Sequence, residues 1–143
     1  MFIDKSELIV LKIFYRKTGR NFIAYTEDGF KKAQLSDEKK AKYKSVEIKM
    51  KPLSWEMYND LQDASWVNDP ETNQRKFNYR QYKENKLKKL IVEWDAKKPN
   101  AKGELEPIPV NEQNIMSLSP DVAEAILEAY DVVSTLTDEE EKK

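Results

Sequence analysis

Two carboxylate pairs, Glu93 with Asp95 and Glu104 with Glu106, are the residues closest in type to acid/base machinery. Such chemistry needs two carboxyls facing one another across several ångströms, and i, i+2 neighbours do not converge on a helix. Solvated surface charge is their ordinary reading. The sequence has no histidine and no cysteine, which removes the commonest general base, the commonest transition-metal ligand, the thiolate nucleophile and every disulfide together. Its three glycines build no phosphate-cradling loop. No catalytic residue, metal ligand or cofactor is therefore expected, and the chain reads as a non-enzyme.

A second chemistry is written in RKFNYRQYKENKLKK, where Phe77, Tyr79 and Tyr82 interleave with cations. Stacking faces beside phosphate-neutralising charges are what a single-strand nucleic-acid groove uses. The commoner reading is an amphipathic helix whose aromatics enter a core, and a net charge of -1 favours it. Nucleic acid is the less favoured partner. Trp55, Trp66 and Trp94 are of the type that anchors protein interfaces, although in a small domain a tryptophan is more often core, Trp94 above all.

These groups must be positioned by a chain of 143 residues, enough for one compact core and short for two. The expected organisation is a single domain over 1–136, with a β-rich part (1–52), a helical part (53–136) and a polar acidic tail (137–143). Charge is segregated: residues 74 to 103 hold ten Lys/Arg against three Asp/Glu, and residues 104 to 143 hold two against eleven. The longest aliphatic run, Leu8 to Leu11, is far too short to span a membrane, and no secretory start is evident. A cytoplasmic protein without membrane contact is expected.

The order of elements reads β first, α after, an α+β chain with about three antiparallel strands followed by a helical half. ELIVLKIFY and FIAYT flank a turn at Gly19 and predict a hairpin. Residues 30–44 fit either a short helix beginning near Ser36 or a solvated connection. Val46, Ile48 and Met50 alternate with Glu47, Lys49 and Lys51, as a half-buried third strand requires. Ser54 caps a helix from Trp55 to about Trp66, with Leu53 placed as a staple on Tyr58, and VNDPETNQ is a surface loop. From Arg75 to Ala96 neither Pro nor Gly occurs, and Tyr79, Leu87, Leu90, Ile91 and Trp94 share one side. The longest helix is expected there.

KKPNAKGELEPIPV then crosses the surface, Asn111 caps a short helix, and Ser119-Pro120-Asp121 opens the last helix, to about Val133. Val122, Ile126, Tyr130 and Val133, with Ala123 and Leu127 alongside, give that helix an apolar face. Packing on the Arg75–Ala96 helix and docking of a partner are the two uses open to it.

Three segments carry a resemblance: VEIKMKPLSWEMYNDL, KLKKLIVEWD and GELEPIPVNEQNIMSLSPDVAEAILEAYD. From Val46 to Val133 the chain resembles the tail assembly chaperones of long-tailed bacteriophages. In the third segment Pro107, Ile108 and Pro109 lead through an Asn-Glu helix start to Leu118 and a Ser-Pro cap, similar to the way these chaperones join their last helices. The resemblance implies a more helical N-terminus than the residues predict. It also implies a non-enzymatic role in the host cytoplasm, binding the helical tape measure protein or another tail protein during tail assembly. A programmed frameshift often lengthens such a protein, and Glu141-Lys142-Lys143 is encodable as GAA AAA AAG, a minus-one slippery site. The candidate partner-binding residues are Trp94, Leu118, Val122, Ile126, Leu127 and Tyr130, in and around a groove between the two long helices, and Ile126→Asp is the substitution expected to weaken binding. The alternatives are a small structural component of a tail or connector, acting through self-association, and the nucleic-acid module.

Overall fold

The β-branched and aromatic run near the N-terminus pairs with itself in the computed structural model, which describes residues 1–135. Strand β1 (Ile9–Thr18) and strand β2 (Asn21–Thr26) form an antiparallel hairpin in the register Ile13↔Thr26 to Thr18↔Asn21. Its turn uses Gly19 at φ +63°, a conformation that L side chains resist. Strand β3 (Lys44–Met50) pairs antiparallel on the other side of β1, from Ile9↔Met50 to Tyr15↔Lys44. Alternation then sends Leu11, Ile13, Val46, Ile48 and Met50 to one face, where all five are buried.

The opposite face holds Phe14, stacked on Phe30 at 4.2 Å between centroids, with Tyr25 and Tyr43 packed around Phe30. Phe30 comes from helix α1 (Glu27–Lys32), and the short helix α2 (Asp37–Lys40) follows it. Residues 30–44 thus contain both a helix and connections, with Ser36 accepting from Lys39 N–H as the α2 cap. Helix α3 (Trp55–Ser65) starts where expected, with Ser54 Oγ accepting from Met57 N–H.

The segment from Arg75 to Ala96 is not one helix. It contains strand β5 (Arg75–Phe77), helix α4 (Tyr79–Leu90) and strand β6 (Ile91–Trp94). Strand β5 pairs with strand β4 (Trp66–Asn68), so VNDPETNQ is largely a small hairpin rather than a free loop. Asp69 ties its tip by accepting from Glu71 N–H, Thr72 Oγ1 and Lys76 Nζ. Strand β6 joins the edge of the main sheet, Ile48↔Trp94 and Lys49↔Glu93, giving the order β2-β1-β3-β6. The sheet therefore has four strands, the fourth from the half expected to be helical. Helix α4 ends because an unpaired β3 edge offers Ile91-Val92 a ladder, and β-branched residues accept it readily.

The connection KKPNAKGELEPIPV folds as a second small hairpin, β7 (Lys97–Pro99) with β8 (Leu105–Pro107), turning at Gly103, φ +79°. Helix α5 (Glu112–Met116) is capped by Asn111 as the sequence predicts. Helix α6 (Pro120–Thr135) is the longest, opened by Ser119 Oγ accepting from Val122 N–H. It lies across the buried face of β1 and β2. One contiguous core, running from Leu11 to Tyr130, joins the sheet to α3, α4, α5 and α6. The fold class is α+β, as read from the sequence, with a sheet larger than read. Among the described residues no helix is long and apolar enough to cross a membrane. The acidic tail over 137–143 lies outside the described residues.

Candidate functional site

An apolar face that folds onto a sheet is no longer free, and this decides the fate of half the candidate residues. Ile126 and Tyr130 are fully buried under α6, and Leu127 is buried beside them. Tyr130 donates its hydroxyl proton to the Lys51 carbonyl at 3.0 Å, and burial pushes its pKa up to about 12. Ile126 and Tyr130 hold α6 to the body of the protein and present nothing to a partner, whereas Leu127 also lines the groove between α6 and α4. Val133 sits at the edge of that face, more than one-third exposed.

The other three candidates meet. Trp94, Leu118 and Val122 line one cleft of about 340 Å³ beside the start of α6, on the same sheet face that α6 crosses. Its floor is the continued alternation of the strands, with Tyr15 and Phe22 beside Val46 and Ile48. One wall is Trp94, set by its pairing with Ile48 and by an indole N–H bond of 2.6 Å to the Ile108 carbonyl. Ile108 N–H donates in turn to the Ala96 carbonyl, so the chain after β8 is strapped to the end of β6. The other wall is the corner between α5 and α6. Asn114 Nδ2 bonds the Pro109 carbonyl, Leu118 N–H bonds the Ile115 carbonyl and Ser119 caps α6, which fixes Leu118 over the opening. Trp94 and Leu118 are each half-buried. A concave, mostly apolar site with a few placed polar groups is the form binding sites take.

Sequence reasoning missed Tyr15, Phe22 and Ile108 as lining residues. Tyr15 and Phe22 were legible as inward positions of the hairpin, but which length of the sheet α6 covers is a tertiary fact.

The expected groove between the two long helices also exists, between α4 and α6, as a second cleft of about 320 Å³ lined by the chain's own ion pairs. Lys83 Nζ meets Glu124 at 2.6 Å and Lys86 Nζ meets Asp131 at 2.6 Å, with Lys86 buried between the rings of Tyr82 and Tyr130. The Glu124 carboxylate holds the Lys83 pKa above its ordinary value. The basic middle of the sequence and its acidic end are thus partly neutralised by each other. Two further cations of the basic aromatic segment are engaged too, Lys76 with Asp69 and Arg80 with Glu84.

Three of the four paired carboxylates take structural roles. Asp95 accepts from Glu47 N–H at 2.8 Å and extends the β3–β6 ladder with its side chain, Glu93 pairs with Lys49, and Glu106 accepts from Asn100. Among the described residues no group of three or more acidic side chains is placed to hold a metal ion. Comparison of the chain with family models, with curated proteins and with solved structures gave no match in any of the three.

Proposed function

We propose that this protein is a non-enzymatic phage tail assembly chaperone, and that its cleft takes an apolar stripe of the tape measure protein while the tail is built. One observation carries the reading. Trp94, Leu118 and Val122 come from two of the three segments that bear the family resemblance, and they converge on one partly open apolar cleft. A long helical client offers amphipathic stripes, and a groove that accepts such a stripe is an established mode of recognition.

Co-expression with fragments of the tape measure protein tests this. The expected result is a soluble complex with at least one helical fragment, weakened when Leu118→Asn narrows the apolar wall without entering the core. Fragments that remain insoluble and uncaptured by the folded protein would argue against it. A structural component of the tail is favoured by a different observation, the stacked pair Trp55 and Tyr58, 5.7 Å apart, with Trp55 76% exposed. That reading requires rings or polymers in light scattering, and a monodisperse monomer would end it.

A further inference from the structure

We infer that the cleft selects an apolar side chain carried on an acidic segment; the inference rests on the client-binding reading and adds the charge of the segment. Lys97 and Lys98 line the cleft directly. Lys17 lies two residues beyond Tyr15 on β1, and Lys44 two residues before Val46 on β3, so strand alternation puts both on the cleft side of the sheet. All four lysines are exposed, and among the described residues none of them is held in an ion pair. Arg20, in the β1–β2 turn, belongs to the same end of the sheet as Lys17.

Two acids offset this charge only in part, since among the described residues neither is ion-paired with a rim lysine. Glu106, across from Lys98 in the β7–β8 ladder, accepts a hydrogen bond from Asn100, and Asp121 occupies the first turn of α6, where the helix terminus favours it. The free cations contrast with Arg80, Lys83 and Lys86 on α4, all three of which are matched to carboxylates. A partly open apolar cleft rimmed by unpaired lysines rewards a ligand that is apolar at its tip and anionic on its flanks. Exposed ion contacts are individually weak, so the rim acts mainly on encounter and on rejection of basic segments, and salt screens it.

The test uses the whole chain and three short synthetic amphipathic peptides with one shared leucine stripe, flanked by Glu, by Gln or by Lys. Fluorescence anisotropy at low salt is expected to rank them Glu over Gln over Lys, with about tenfold between the extremes. The ranking should flatten in the Lys97→Glu, Lys98→Glu double variant, and likewise in the wild type as salt is added. Equal binding of all three peptides, with all three weakened by Leu118→Asn, overturns the charge selection and leaves the cleft reading standing. Peptide binding that Leu118→Asn does not change overturns both. A single-stranded oligonucleotide that binds more tightly than the Glu peptide, and loses affinity in the double variant, makes the rim a phosphate site and also overturns the inference.

Discussion

Trp94 Nε1 donates a 2.6 Å hydrogen bond to the Ile108 carbonyl, so a single indole is both a wall of the cleft and the tie that holds the proline-rich return strand to the sheet edge. Trp94→Phe keeps an aromatic wall and removes the tie. It is expected to cost about 1 kcal/mol, the net worth of a hydrogen bond whose acceptor is left part-buried, read from urea unfolding. Faster hydrogen exchange at Ile108 should accompany it.

Lys86 and Asp131 are asymmetric partners, with side-chain exposures of 7% and 63%. Lys86→Met leaves an exposed carboxylate in water and an apolar chain between two tyrosine rings, so stability should change by less than about 1 kcal/mol. Asp131→Asn leaves the buried ammonium to the rings of Tyr82 and Tyr130 alone and should cost about 2 kcal/mol. Denaturant midpoints of the two variants compare these directly. Equal losses would mean that the pair is not buried as described.

Tyr130 titrates at about 12 in the folded protein, above its ordinary value of 10.0, because burial disfavours the phenolate. The folded state therefore holds the proton more tightly than the unfolded one. This contribution to stability is complete below pH 10 and is lost as pH rises from about 10 through 12. Tyr130→Phe should be flatter than the wild type over that window in thermal melts, and phenolate absorbance should show one tyrosine titrating late.

Ile126→Asp, the substitution that the periodicity of the last helix suggests as a binding test, introduces a charge at a fully buried position. It is expected to unfold the protein, visible as lost near-ultraviolet dichroism. Leu118→Asn carries the binding test instead, since Leu118 is half-buried at the edge of the cleft.

Much of the local structure was legible because its causes are local. Ser36, Ser54, Asn111 and Ser119 all cap the helices that their side chains announce. The alternation of Val46, Ile48 and Met50 marks the buried face. The segment from Arg75 to Ala96 was misread because Leu87, Leu90, Ile91 and Trp94 satisfy a helical period whether or not the helix continues. No Gly or Pro punctuates the change at Ile91, and the vacancy beside β3 that turns Ile91–Trp94 into a strand is created by residues more than forty positions away. The candidate site was legible in part for the same reason. Chain-local pattern identified Trp94, Leu118 and Val122 as large apolar residues near a capped corner. Their separation from Ile126, Leu127 and Tyr130 depends on where α6 crosses the sheet.

The three tryptophans supply separate reporters of where a client sits, Trp94 in the cleft and Trp55 and Trp66 on the α3 side. Indole N–H resonances of the labelled protein, assigned by single Trp→Phe variants, should be followed while a tape measure fragment is added. A client in the cleft shifts the Trp94 signal and leaves those of Trp55 and Trp66 in place. Movement of Trp55 or Trp66 with Trp94 unchanged would place the client on the exposed aromatic surface of α3 and contradict binding in the cleft.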